Sequence, residues 1–568
     1  MFKYKLILFL ISISWSISKA QNPLFIPDTL SGMNISLNMQ RGTKQFIPNV
    51  TTQTIGFNGN YMGPTLMLNK GQHVSIAVNN QIGDTTTVHW HGLHVSSEND
   101  GGPHTKIMAG TTWNPQFTVM DKAATYWYHP HLHHKTAEQV MRGAFGLILV
   151  REDEEAQLAL PRTYGVDDLP LVVQTQQFSP QGEILPREMQ DSIPMVNGTI
   201  NAFVNVPAQV LRLRLLNASQ ERSFNFGLSD NSAFYIIGSD NGLLNAPVLQ
   251  TRLRLAPGER VEILLQFSAR NGQMVDLISY ASELPMGVQG APPMNMPGMQ
   301  MPYNPLNGAN FKLLRFNVGA RTANPILQIP NTLVTVTPFT VSQAMESRTL
   351  TFSGTSPMQM DGIFFINNKV FDMNRIDYRV PLNNVEIWTL QSTTPMAAHP
   401  FHLHGNTFYI LDRNGVPPPA HERGRKDVVL VLPQERVRVI TKYEDFASAT
   451  PYMFHCHILM HEDDGMMGQF VVGNLSGIHD HNPALADLVR VYPNPSDGKA
   501  LTIDMTDKTN PILGVKIFNS IGQLIDNQLI DVPNTFITFQ NLALPNGQYL
   551  LNIATQNGHL TKKITINH

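Results

Sequence analysis

His455-Cys456-His457-Ile458-Leu459-Met460-His461-Glu462-Asp463-Asp464-Gly465-Met466 closes the main body of this 568-residue chain and contains its single cysteine. On a β-strand, residues two apart share a face and the residue between them points the opposite way. His455 and His457 then aim into one cavity and Cys456 into another. A thiolate with His461 and Met466 close by is the donor set of a blue copper centre, completed by one further imidazole. His399 supplies that imidazole, so His399, Cys456, His461 and Met466 form a mononuclear site. One three-residue strand segment would join it to a second metal site, a short covalent path for electrons.

Three more pairs share the spacing: His89-Trp90-His91, His129-Pro130-His131 and His402-Leu403-His404. Each presents two imidazoles on one side of a strand. With His455 and His457 they give eight imidazoles, which suits a cluster of three coppers: two for one ion and three for each of the others. Four coppers in all can store the four electrons that reduce O2 to water without releasing partly reduced oxygen.

The rest of the chain reads as strands. Hydrophobic residues make up 42% and charged residues 15%, with 40 Gly and 39 Pro. That is the turn-rich profile of β-sandwiches. Forty Lys and Arg against 43 Asp and Glu leave a formal charge of -3, and no basic run occurs. The balance offers nothing to a nucleic acid or an anionic membrane surface.

Residues 1–20 predict a signal peptide: Lys3 and Lys5, an apolar run from Leu6 to Ile17, then Ser18-Lys19-Ala20. The run is too short for a membrane span, and no other stretch reads as a transmembrane segment. Export permits disulfides, yet a lone cysteine cannot form an internal one, and copper ligation explains why it is kept. Three strand-rich blocks follow, at 21–160, 161–322 and 323–475. His-x-His pairs occur in the first and third only, so the middle block reads as an inert copy of a duplicated metal-binding fold. A polar linker, 476–488, leads to a C-terminal module, 489–568, with β-rich runs and no candidate catalytic set.

The four histidine motifs resemble the signature motifs of three-domain multicopper oxidases, the family of laccases, bacterial spore-coat laccases, bilirubin oxidases and cuprous oxidases. His89-Trp90-His91-Gly92, Tyr128-His129-Pro130-His131, His399-Pro400-Phe401-His402-Leu403-His404-Gly405 and the block from His455 to Met467 carry the resemblance, in order, over about 24–475. It implies an all-β chain of three cupredoxin-like Greek-key β-sandwich domains plus a small C-terminal β-sandwich. It implies type 1 copper on His399, Cys456, His461 and Met466, and type 2 copper on His89 and His402. The type 3 pair would use His91, His129, His131, His404, His455 and His457. Tyr492-Pro493-Asn494-Pro495, Leu544–Tyr549 and the Lys562-Lys563 ending resemble the C-terminal sorting domain of the type IX secretion system. That implies the secretion machinery as a partner, with the protein secreted or held at the outer-membrane surface. An accessory β-sandwich is the competing reading.

Asp100, in Asn99-Asp100-Gly101-Gly102-Pro103, matches the family acid after the first His-x-His-Gly, and Glu462 the acid after the second type 1 histidine. Water formation consumes four protons, so both are expected to relay protons; hydrogen bonding to a ligand imidazole is the alternative. Asp427 reads either as a neighbour of type 1 copper or as a surface strand charge. His133 and His134 lie close enough to His131 for a register slip, although the Tyr-His-x-His spacing favours His129 and His131. His479 and His481 read as linker residues.

An axial Met in place of Leu or Phe keeps the type 1 potential low to intermediate. This favours readily oxidised reductants: phenols, aromatic amines, tetrapyrroles or Cu(I). Met286, Met294, Met296, Met299 and Met301 crowd the Pro285–Pro302 stretch, where thioethers could hold Cu(I) or simply fill space. A cuprous oxidase of this family carries its methionine insert early in the third domain, where this chain has only Met358, Met360 and Asp361. The sequence thus predicts a laccase-like oxidase, with a cuprous oxidase or a copper-sequestering protein as alternatives. A metal-free structural relative would lack ligands, and all twelve are present.

Overall fold

The computed structural model describes all residues except 1–20, 187–190, 294–303, 356–361, 474–487, 520–523 and 556–557. The expected signal peptide, His479, His481 and the methionines at 294–301, 358 and 360 lie outside the described residues. Among the described residues, no helix is long and apolar enough to cross a membrane.

Strand His73–Gln81 illustrates how the sequence dictates the sheets. Val74, Ile76, Val78 and Asn80 are buried while their neighbours are not, the period-two pattern of a sheet with one face on a core. It pairs in parallel with Asn34–Ile47 and antiparallel with Thr112–Trp113 and Gln116–Thr118. Facing this sheet is a second one, ordered Thr29–Ser31, Thr65–Asn69, Gly146–Arg151, Ala124–His129, His89–His91. Leu37, Ile76, Trp90, Tyr126 and Ile148 belong to the core of this first sandwich.

The second sandwich pairs a six-stranded with a seven-stranded sheet. Residues Asn22–Pro23 join it, in parallel with Ala202–Pro207, before the chain enters the first sandwich. The third packs Glu346–Gly354, Val385–Ser392, Arg436–Lys442 and their neighbours against a sheet ordered Tyr378–Pro381, Met467–Gly473, Ser448–Cys456, His399–Leu403, Val428–Val431. Phe352, Trp388, Phe401, Cys456 and Met466 share its core. The chain is all-β, as its composition and strand spacing predict.

The sandwiches are joined by shared interior. Trp127, Val140 and Phe145 from the first, Val172 and Leu216 from the second, and Leu459 from the third form one apolar cluster. Val210–Asn217 alternates Leu and Arg as a half-exposed strand would, yet every residue in it is buried. Arg212 is paired with Glu155 and Glu262 at 2.6 Å, and Arg214 with Asp168 and Glu262 at 2.6 Å. Guanidiniums on this face are tolerated because each is paired with two buried carboxylates, Arg214 gripping Asp168 bidentately.

The C-terminal unit, Gly473–His568, is compact in its own right. Its three-stranded and four-stranded sheets enclose Leu501, Ile503, Val515, Leu551, Ile553 and Ile564.

Candidate copper centre

Strand pairing alone gathers the histidines. In the first sandwich His89 lies opposite His129 on neighbouring antiparallel strands. In the third, His402 lies opposite His455. His131 and His404 follow directly after their strands, and His457 is anchored where its backbone N–H donates to the Pro400 carbonyl at 2.6 Å. The two sandwiches meet with these faces together. All eight imidazoles are buried, and they fall into groups whose nitrogens lie within 4.8 Å of one another: His89 with His91 and His402; His91 with His129 and His457; His131 with His404 and His455.

Hydrogen bonding on the outer rim fixes which nitrogen faces inward. His89 Nδ1 donates to the Asp100 carbonyl, His402 Nδ1 to the Asp427 carbonyl and His129 Nδ1 to the Pro130 carbonyl, each at 2.8 Å. His455 Nδ1 donates to the Cys456 carbonyl at 3.0 Å and His404 Nδ1 to Asp100 Oδ2 at 2.8 Å. His91 is turned over: its Nε2 meets Asp427 Oδ1 at 3.2 Å, so Nδ1 faces the cluster. A neutral imidazole has one N–H. The inward nitrogens therefore carry bare lone pairs, yet His131 and His455 Nε2 are 3.1 Å apart, His404 and His455 Nε2 3.2 Å, and His89 and His402 Nε2 3.5 Å. Neither ring nitrogen of His457 has a hydrogen-bond partner. Lone pairs held this close repel unless a cation lies among them, so this donor set fits metal ions.

Burial first, and then mutual repulsion, holds His91, His129, His131, His402, His404 and His457 well below the usual imidazole range. Burial brings His455 down to about 3. The rings are thus neutral and ready to ligate.

On the opposite face of the same strand, Cys456 Sγ lies 3.6 Å from Nδ1 of both His399 and His461. His461 sits on the short helix Leu459–Asp463. Met466 is tied to both, its N–H donating to the His461 carbonyl at 2.7 Å and its carbonyl accepting from the Cys456 N–H at 3.1 Å. Phe364 covers both imidazoles at 4.9 and 4.3 Å between ring centroids. Thr394 Oγ1, which donates to the Ala397 carbonyl, is 3.4 Å from His399 Nε2 and can accept a hydrogen bond from its N–H, leaving Nδ1 free toward the sulfur. Burial brings His399 down to about 3, puts His461 well below its usual value and pushes the Cys456 thiol well up. A buried thiol stays protonated until a cation takes the proton's place, the behaviour of a soft metal ligand.

Three acids border the cluster, Asp100, Glu462 and Asp427. Asp100 bonds His404 through its carboxylate and His89 through its carbonyl. Glu462 places Oε1 3.3 Å from His131 Nδ1 and Oε2 3.3 Å from His455 Nδ1. Burial raises its carboxyl well above the ordinary range. Thr136 Oγ1 donates to Glu462 at 2.7 Å, and the next residue, Asp463, accepts from the backbone N–H groups of Thr136 and Ala137 at 3.0 Å. The N-terminus of helix Thr136–Met141 is thereby capped by an acid from another sandwich.

Asp427 is neither a surface charge nor beside Cys456. It is fully buried against the histidine cluster, because Val428–Val431 pairs with His399–Leu403 and sets Val428 opposite His402. Arg260 clamps it with Nη1 on Oδ1 at 2.5 Å and Nη2 on Oδ2 at 2.6 Å. Arg260 comes from the middle sandwich, which holds no metal ligand among these groups. Gly258, at φ +85°, passes so close to His457 that a Cβ would sit 2.9 Å from the ring. Only glycine serves there. His-x-His spacing reveals none of Arg260, Gly258, Thr136 or Thr394. His133 and His134 stack on one another at 3.7 Å and join none of these histidine groups, so the cluster register runs through His129 and His131.

A buried Cys–His–His site and a nest of eight imidazoles, linked through the segment His455-Cys456-His457 of a β-sandwich protein, define a copper oxidoreductase. Family models described as Multicopper oxidase match residues 38–155 and 336–476, and one described as Secretion system C-terminal sorting domain matches 490–567. The chain is 31% identical over 475 residues to "Multicopper oxidase mco" of Staphylococcus haemolyticus, covering 80% of this chain and 94% of that one. It is 31% identical over 453 residues to "Cell division protein FtsP" of Xenorhabdus nematophila, covering 78% and 90%. Among solved structures, the laccase-like multicopper oxidase CueO of Ochrobactrum sp. aligns at 34% identity with a TM-score of 0.70, covering 79% of this chain and all of that one. The chain belongs to the multicopper oxidase family. It is a laccase-like oxidoreductase that binds copper, uses O2 as acceptor and carries a type IX secretion sorting domain.

Proposed function

We propose that this oxidase uses four copper ions, with ligands divided as the nitrogen and sulfur positions suggest. His399, Cys456, His461 and Met466 would hold one ion, and His89 with His402 a second. His91, His129 and His457 would hold a third, and His131, His404 and His455 the fourth. Bound copper would supply the single-electron steps by which four electrons, one from each of four donor molecules, and four protons turn one O2 into two waters. The observation that carries this assignment is the set of bare imidazole nitrogens 3.1 to 3.5 Å apart.

The protein's own groups handle the protons. Glu462 holds one at a buried carboxyl between His131 and His455, and the Thr136 hydroxyl fixes that carboxyl in place. Asp100 joins His404 through its carboxylate and His89 through its main-chain carbonyl. Each is poised to hand protons toward the face where O2 would be reduced.

Phenols, aromatic amines and tetrapyrroles are the donors expected for a centre with a thioether in place of an apolar axial residue. Oxidation of Cu(I) is a second reading favoured by one contact. The Ala398 N–H, beside His399, donates to the Gly287 carbonyl at 2.8 Å, and the preceding residue, Met286, is 61% exposed. The sorting domain supports a product that is released or held at the cell surface.

Metal analysis and oxygen-electrode rates on copper-loaded full-length protein test the proposal, with a phenol, bilirubin and Cu(I) as reductants. Four coppers per chain and oxygen uptake are expected. Copper binding without oxygen uptake on any of the three would make this a sequestering protein instead.

A further inference from the structure

Away from the copper ligands, a cavity of about 270 Å³ opens between the second and third sandwiches. Arg252, Arg254, Arg413, His421, Glu259 and Glu422 supply its charged and titratable lining. Both acids already have cations. Glu422 is gripped by Arg413 at 2.7 Å, and Glu259 by Lys426 at 3.1 Å and by the Ala256 N–H at 2.7 Å. Arg252 is likewise committed, to Glu283 at 2.8 and 3.0 Å, with its guanidinium 3.5 Å above the Tyr280 ring.

Arg254 is different. It stands on Leu253–Leu255, opposite Asn225 on the neighbouring strand, and its side chain has no hydrogen bond or ion pair among the described residues. Across the cavity, burial first and then neighbouring cations, Arg254 among them, hold the His421 imidazole below its usual range, and its Nδ1 is buried without a hydrogen-bond partner. An unpaired guanidinium and an unsatisfied buried ring nitrogen facing one space cost stability unless an anion joins them.

We propose that this cavity is a binding site for a small oxyanion, a carboxylate or phosphate on a skeleton that fits the space. Arg254 supplies the guanidinium fork and His421 a further ring N–H. A planar fork matches two oxygens of either group, which a lysine does not. The ion pairs of Arg252, Arg413 and Glu422 pre-form the walls, so little ordering is needed on binding. Leu430, also in the lining, pairs with Pro400 beside His399, so the site adjoins the copper-binding strand without using a ligand.

The test is calorimetric titration of copper-loaded full-length protein at constant ionic strength in chloride, with inorganic phosphate in one arm and malonate in the other. Saturable binding in either arm is expected, and the arm that binds identifies the oxyanion. Arg254→Ala should weaken it by about tenfold or more, and Arg254→Lys by less, because charge without the fork recovers part of the contact. Blue absorption and melting temperature, unchanged in the variants, show that the fold and copper sites persist. If Arg254→Ala does not fold, His421→Ala carries the test, with several-fold weakening expected. No saturable binding in either arm, or equal affinity in the wild type and the folded variant, overturns the proposal.

Discussion

The two faces of the strand around Cys456 are built from different surroundings. On the sulfur side, Phe352, Phe364 and Phe401 line the site, and Thr394 is the one polar side chain bonded to a ligand ring among the contacts described. On the imidazole side, outward nitrogens meet carbonyls and three carboxylates, Asp100, Asp427 and Glu462. A centre that only passes electrons needs rigidity and exclusion of water, and an apolar wall gives both. A centre that makes water must also bring in protons and balance charge. The chain meets the two needs by changing what surrounds each set of ligands, less than 4 Å of backbone apart along the strand.

The contrast can be broken most sharply at Cys456. Cys456→Ser should remove the blue absorption and bring oxygen uptake to background while the histidine cluster keeps its copper; a variant that stays blue would separate the colour from this sulfur. Next, Glu462→Gln should cut oxygen-reduction turnover by about 100-fold, within the range of general acid–base effects, and leave the blue absorption intact. An unchanged solvent isotope effect and rate would remove Glu462 from proton delivery. Arg260→Leu leaves Asp427 buried without its counter-charge, and should lower stability by about 3–5 kcal/mol in chemical denaturation. Copper should then be lost from the imidazole cluster before the mononuclear site, which metal counting on the folded variant would detect.

A pH series on metal-free protein sharpens the comparison further. The unfolded chain takes up protons on histidine near 6.5, while folded His399 and His455 do so only at about 3. Depressed values mean that the unfolded state binds more protons, so stability is full above about 6.5 and falls as pH drops toward 3. Melting temperatures should decline across that window, and copper should flatten the decline. The smallest effect is expected for Thr394→Val, which removes one weak contact to His399. Turnover should change less than tenfold, with a small shift of the blue band.

Much of this was legible in the sequence. Period-two alternation gave the strands, and His-x-His spacing gave every imidazole of the cluster, because a strand turns spacing into direction. Asp427 shows where legibility stops. Its place depends on which strand pairs with His399–Leu403, and local pattern does not encode that partner. Arg260 was invisible for the same reason: it arrives from a sandwich that carries no ligand motif. The alternation of Leu with Arg212 and Arg214 does not by itself distinguish an exposed strand face from a buried one, because the facing acids come from distant parts of the chain.

Those arginines carry a consequence for how the molecule comes apart. Pulling the first sandwich off the second would part Arg212 from Glu155 and Arg151 from Asp168, breaking a charge network that is buried in the intact body. Heat should therefore not peel the sandwiches away one at a time. The body up to residue 472 should melt in a single cooperative step, and a fragment cut between its sandwiches should be insoluble rather than half-active.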